Sequence, residues 1–297
     1  PANVACALRK LQVPTAFIGC LGDDDFGREF IELFQKLNVN IDFLQTTKEF
    51  PTRIVKVVID ESGDRSFSGF QTSKSNTFAD ESLDKLMINK NIKNLKKQFL
   101  NTKYIVTGTN LLSSSKSAES LNYILDCAKN FKIKVIIDIN WREIFWDQSI
   151  VSKTSQFKKV KNFLHRADIL KLASEEAHLF FDTIDPSKIS KVLKNQPDVI
   201  ITNGASPIQW YVNGIKGSNE IIKHTSKIID TTGAGDAFLA GLIARYCSDS
   251  NLDDQSKIKF NIQFASVCGL LTCFGEGAIE QQPEAKLVYK FLEDFGS

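Results

Sequence analysis

A chain of 297 residues can build one large α/β domain or two ordinary ones. Its 37 basic and 35 acidic residues leave a formal charge of only +2, and the lysines are spread over helical stretches rather than gathered on one face, which argues against a nucleic-acid partner. The apolar share of 42 % is that of an ordinary globular protein. No apolar run reaches the roughly 18 residues that a membrane span requires, and no signal peptide is visible.

Six short apolar, β-rich runs appear in chain order: 15–20, 53–60, 103–109, 134–140, 167–172 and 198–204. Their nearly continuous apolar character suits strands buried on both faces of a parallel sheet. Amphipathic stretches lie between them, as in 117–131, where Leu121, Ile124, Leu125 and Ala128 share one helical face. This alternation predicts a doubly wound, mostly parallel α/β sheet flanked by helices, with residues 1–297 as a single domain. Residues 39–70 instead alternate polar and apolar positions, with a turn at Glu61-Ser62-Gly63-Asp64. They predict antiparallel strands open on one side: a small β flap, or an ordinary surface hairpin.

The cysteines (Cys6, Cys20, Cys127, Cys247, Cys268, Cys273) form no C-x-x-C pair, and most stand inside apolar runs. They read as buried free thiols of a reducing compartment, hence a cytoplasmic protein. None of the three histidines has a metal-ligand neighbour at helical spacing, which argues against a zinc site.

In open α/β sheets ligands bind at the carboxyl ends of the strands, so the residues closing each run carry the chemistry. The most informative segment is Asp230-Thr231-Thr232-Gly233-Ala234-Gly235-Asp236-Ala237-Phe238. Helical spacing from Ala237 places Phe238, Leu242 and Tyr246 on one stripe, so the glycines fall at a helix N-terminus. Unpaired N–H groups and the positive end of the helix dipole favour an anion there, and Gly233 and Gly235 let the backbone approach it. Asp236, in the first turn, is placed to accept the proton of an attacking hydroxyl. An Asp that merely caps its helix is the plainer alternative.

The nine residues 230–238 resemble the C-terminal signature of the ribokinase-like, or PfkB-type, carbohydrate kinases. The resemblance implies Asp236 as catalytic base and Gly233, Ala234 and Gly235 as its anion hole. It also implies ATP and Mg²⁺ as cofactors. Asp230 and Thr232 match positions that help hold a monovalent cation, K⁺; by themselves they read equally well as turn residues. Pro1-Ala2-Asn3-Val4-Ala5 resembles the end of the family's N-terminal segment, with Asn3 at a sugar contact. Gly22-Asp23-Asp24-Asp25-Phe26-Gly27 resembles a family turn that reads as structural.

Pro51-Thr52-Arg53, Gly63-Asp64-Arg65-Ser66-Phe67 and Asp138-Ile139-Asn140-Trp141-Arg142 resemble the fructokinase branch. Asp138 and Asn140 close a strand and suit sugar hydroxyls, while Arg142 suits a phosphate or an acidic substrate. Lys171 falls beside the nucleotide. Glu176 matches a Glu that positions magnesium-bound water, although Ala173 replaces the usual Asn. Thr202 and Gly204 match a phosphate-binding turn whose last Gly is here Pro207, and Ser266 falls in the adenine-pocket helix.

The family's first strand, with its sugar-binding Asp, has no counterpart, so either the sequence is a fragment lacking its N-terminal strand or the chain has lost it. The function implied is an ATP-dependent sugar kinase of fructokinase type, with a homodimer through the flap. The alternatives are a kinase for 2-keto-3-deoxygluconate or another sugar, and a silent relative acting as a binding or regulatory protein. A nucleotide-binding dehydrogenase would need a G-x-G-x-x-G turn after the first strand, and none is present.

Overall fold

The computed structural model describes every residue except 60–64, 71–76, 147–152, 223, 250–253 and 296–297. The first part of the chain runs α1 (Ala2–Lys10), β1 (Ala16–Gly22), α2 (Asp25–Lys36), β2 (Asn40–Thr47), β3 (Val55–Ile59), β4 (Arg65–Phe70), α3 (Lys85–Lys90) and α4 (Ile92–Phe99). The middle alternates strictly: β5 (Tyr104–Thr107), α5 (Ser115–Lys129), β6 (Lys134–Asp138), α6 (Lys153–Leu164), β7 (Ile169–Ala173), α7 (Ser174–Phe181), α8 (Pro186–Val192) and β8 (Asp198–Asn203). It closes with β9 (Ser206–Val212), β10 (Ile215–Asn219), α9 (Ala234–Ser248), α10 (Gln255–Thr272) and α11 (Ala285–Phe295).

Six strands form the main sheet in the order β10-β9-β8-β7-β6-β5, parallel from β5 to β8. Alternation along those strands sorts their side chains between two helical layers. Ile136, Ile169 and Ile200 pack with Phe238, Leu242 and Phe264, on the layer of α1, α9, α10 and α11. Ile137, Leu170, Val199 and Ile201 pack on the opposite face with Leu121 and Leu125 of α5, Val160 of α6 and Phe180 of α7. Each such side chain, fully buried, contributes about 1.5–3 kcal/mol relative to exposure. Helices on both faces are the doubly wound arrangement that the β-α alternation predicts.

Three local expectations are corrected. Residues 40–47 do not join an antiparallel flap: β2 pairs parallel with β1 in a sheet of their own. The run 53–60 does not enter the main sheet, because β3 pairs antiparallel with β4 as a separate ribbon. Its turn, residues 61–64, lies outside the described residues. Helix α9 begins at Ala234, three residues before Ala237 where the helical spacing starts, so Ala234 and Gly235 are themselves helical, while Asp236 stands in the first turn as expected.

The turn 22–27 is a structural joint. Asp24 caps α2 by accepting from Gly27 N at 2.8 Å, and it also accepts from Thr52 N at 2.7 Å and Thr52 Oγ1 at 2.8 Å. It therefore fixes the chain where it leaves for the flap.

A clasp ties α1 to the loop before α11. Lys10 Nζ donates to the carbonyls of Ile279, Glu280 and Gln282 at 2.5, 2.9 and 3.2 Å. Gln282 Nε2 donates to Asn3 O at 3.1 Å and to Ala278 O at 2.8 Å. No helix among the described residues is long and apolar enough to cross a membrane.

Candidate active site

The carboxyl ends of β6 and β7 meet the N-terminus of α9. Asp138, last in β6, is register partner to Lys171 in β7. Both are buried, and Lys171 Nζ lies 3.1 Å from Asp138 Oδ1 and 3.4 Å from Oδ2. The same ammonium passes under Gly235, where an added Cβ would come within 3.2 Å of it. Glu176, at the start of α7, accepts from Ala173 N at 2.8 Å and from Trp141 N at 2.7 Å, so it ties β7–α7 to the loop after β6. Ala173, lacking a side-chain acceptor, cannot return a capping bond, an arrangement worth about 1 kcal/mol in helices that have it.

Electrostatics set these groups apart from surface residues. Burial raises the Asp138 carboxyl, with Lys171 opposing the rise and Asp236 adding to it. Burial also raises Glu176, and the charge of Asp138 adds to that. Burial alone would pull Lys171 down, but Asp138 and Glu176 outweigh it and hold the ammonium above its ordinary value. Three carboxylates thus share one ammonium, a cluster short of positive charge.

Gly233 caps α9 in the left-handed conformation, φ 82°, and a Cβ there would sit 2.6 Å from the Ala278 carbonyl. Only glycine meets both conditions without strain. Asp230 steadies the approach: its Oδ1 accepts from Thr232 N at 2.8 Å and its Oδ2 from Gly277 N at 3.1 Å. The opening turn of a helix carries N–H groups without intrahelical partners and the positive end of the dipole. Asp236 stands in that turn, and its Oδ2 accepts from Asn3 Nδ2 at 2.9 Å. A carboxylate beside an anion hole can take a proton from a hydroxyl while the N–H groups stabilise charge on the group it attacks.

The loop after β6 is pinned over residues 139–146. Ile139 N donates to Lys171 O at 3.1 Å, and Ile139 O accepts from Thr109 Oγ1 at 2.6 Å. Asn140 takes a positive φ of 42°, turning the chain sharply behind Asp138. Trp141 stacks on Trp146 with ring centroids 4.9 Å apart, and Arg142 Nη1 donates to Trp141 O at 2.9 Å.

The cluster therefore unites Asn3, Asp138, Lys171, Glu176 and the 230–236 segment. Thr202 stands one strand along, paired with Ala173, and Gly204 follows in a turn with φ 52°. Pro207 falls in β9 opposite a register irregularity between Ile201 and Asn203, where a missing N–H leaves no gap in a regular ladder. Ser266 is half-buried on α10, with no hydrogen bond to the cluster among the described residues. Three supporting residues escaped sequence reasoning: Lys10, Thr109 and Gln282. The first two look like any lysine on a helix and any threonine in a loop. Gln282 is a buried polar residue that gives no local signal.

Comparison with known proteins gives the family and the shared fold. The pfkB family carbohydrate kinase model matches residues 1–285. A plant protein, "Probable fructokinase-5" of Arabidopsis thaliana, is 30 % identical over 99 % of this chain and 87 % of its own length. The fructokinase of Vibrio cholerae O395, solved with fructose, ADP and a calcium ion, superposes with a TM-score of 0.81 at 26 % identity, covering 98 % of this chain and 90 % of that one. The fructokinase of Xylella fastidiosa with bound ATP superposes with a TM-score of 0.83 at 24 % identity, over 99 % and 89 % of the two chains, which speaks to the shared fold.

Proposed function

The chain belongs to the pfkB family of carbohydrate kinases, and we propose that it transfers the γ-phosphoryl group of ATP to a hydroxyl of D-fructose. The observation that carries this reading is Asp236 in the first turn of α9, held by Asn3 beside the Gly233 cap. Fructose as acceptor is supported by the relatives named fructokinase and by the fructose-bound Vibrio cholerae structure.

In this mechanism the sugar lies between Asn3, Asp138 and the loop at Asn140. Asp236 accepts the proton of the attacking hydroxyl as the new oxygen–phosphorus bond forms. N–H groups at the start of α9 and the Lys171 ammonium stabilise charge on the transferring phosphoryl. Thr202 and Gly204 serve the nucleotide phosphates, and Ser266 the adenine side.

The charge deficit around Asp138, Glu176 and Asp236 suits a divalent cation arriving with the nucleotide, which would neutralise phosphate charge. Each Glu176 oxygen holds one backbone N–H, leaving lone pairs for a metal-bound water. Asp230 and Thr232 would frame a monovalent cation such as K⁺. The flap β3–β4 serves as a lid over the sugar. A ribbon of two strands is marginal alone and has open edges, which supports a homodimer formed through it.

The test is ADP release with D-fructose, D-ribose and 2-keto-3-deoxygluconate as acceptors. Fructose is expected to have the highest kcat/KM. Preference for 2-keto-3-deoxygluconate would overturn the fructose assignment and keep the kinase, whereas no turnover with any acceptor would point to a silent relative.

A further inference from the structure

Arg53 stands where the chain enters the flap, and its side chain is only 9 % exposed. Its guanidinium carbon lies over three rings: Phe70 at 4.9 Å, Phe78 at 4.4 Å and Phe145 at 5.0 Å from the centroids. Its Nε donates to both oxygens of Asp80 at 3.1 Å, and Nη2 pairs with Glu81. These partners come from separate elements. Phe70 ends β4, Phe78, Asp80 and Glu81 belong to the 3₁₀ turn Ala79–Ser82 and its cap, and Phe145 closes the 3₁₀ turn Glu143–Phe145 just after Asn140 and Arg142.

The rings also touch one another. Phe70 sits 5.2 Å from Phe78 and 5.3 Å from Phe145. The carboxylate turn is anchored in its own right, because Glu81 O accepts from Ser114 Oγ at 2.9 Å and Ala79 N donates to Pro51 O at 2.9 Å. Arg53 thus grips, at once, the end of the flap and the loop that carries the sugar-side residues.

A planar guanidinium suits this place because it can stack on rings while donating in plane to carboxylates. The turn Ala79–Ser82 is the fixed floor, while Phe70 and Phe145 are the two walls that Arg53 holds together. We propose that Arg53 is a positioning residue that locks the flap to the 139–145 loop, so that the flap and the sugar-side groups take their closed arrangement together. The proposal rests on the reading of Asp138 and Asn140 as sugar contacts and of the flap as a lid. Closing a kinase site together with its sugar excludes water that would otherwise accept the phosphoryl group.

The experiment uses Arg53→Met, which keeps length and removes charge, and Arg53→Lys, which keeps charge and loses the planar fork. Amide hydrogen exchange is followed over 55–59, 65–70, 143–145 and, as internal reference, the strands 134–138 and 169–173. Expected is faster exchange in the flap and in 143–145 together, with the reference strands unchanged and Arg53→Lys intermediate. In the assay, KM for the sugar rises by about tenfold, and ATP hydrolysis without sugar rises relative to transfer. Faster exchange in the flap alone, across the reference strands as well, or nowhere would overturn the coupling. The exchange arm needs no acceptor, so it stands or falls apart from the identity of the sugar.

Discussion

Asn3 Nδ2 and Asp236 Oδ2 lie 2.9 Å apart, although 233 positions separate the two residues in sequence. The hydrogen bond orients the carboxylate of the first turn of α9 from a different helix. A fixed direction is what the proposed role of Asp236 as general base requires.

Asp236→Asn keeps the size of the side chain and its ability to cap a helix while removing the proton acceptor. A general base contributes about 10²–10⁴-fold, and kcat is expected to fall by that factor. ATP binding, measured by calorimetry, should change little, because the backbone N–H groups remain. A variant that melts like the parent and still turns over within about threefold would remove Asp236 from its role.

Asn3→Ala releases one hydrogen bond to a charged group, so a loss of about 1.5–3 kcal/mol in transition-state stabilisation is expected, read as kcat/KM. Asn3→Asp should fall lower still, because it brings a second negative charge against Asp236. Equal activity of the two variants would show that charge at this position is immaterial.

Gly233→Ala meets two obstacles. The left-handed backbone costs a non-glycine residue about 1–2 kcal/mol, and the new methyl would meet the Ala278 carbonyl at 2.6 Å. A drop in Tm of about 4 °C or more is expected, with a loss of kcat out of proportion to it, since the cap is part of the anion hole. Thermal denaturation and steady-state kinetics on one preparation check both.

Alkaline pH should destabilise the fold through its thiols. Burial pushes Cys6 and Cys20 up from an ordinary 9.0 to about 11. Unfolded thiols lose their protons first as pH rises, so stability is intact below about 9 and is lost between 9.0 and about 11. Tm measured across that range should fall, and replacing both cysteines by alanine should flatten the decline. A Tm independent of pH there would contradict the assignment.

Much of the site was legible because its chemistry is local in sequence. The segment 230–236 carries glycines, carboxylate and helix start within one short stretch, and Asp138 announces itself by ending an apolar run. The helix start was set too late because Ala234 and Gly235 belong to no apolar stripe, although the helix runs through them. The direction of β2 was not legible for a related reason. A side-chain period of two reports which face is buried, and it is the same whether the neighbouring strand runs parallel or antiparallel. Lys10 and Gln282 could not be singled out, because each acts only through partners remote in sequence; Arg53 stood in a matched motif, but its partners, gathered from several loops, were not legible.

The clasp from Lys10 and Gln282 has a bearing on how the chain matures. Gln282 reaches Asn3 across 279 positions, and Asn3 in turn holds Asp236. A growing polypeptide can build the β5–β8 layer early, yet Asp236, the base proposed above, stays unsupported until residue 282 has left the ribosome and met α1. The support of Asp236 is therefore assembled late, after the strands and helices of the chain's middle have been made.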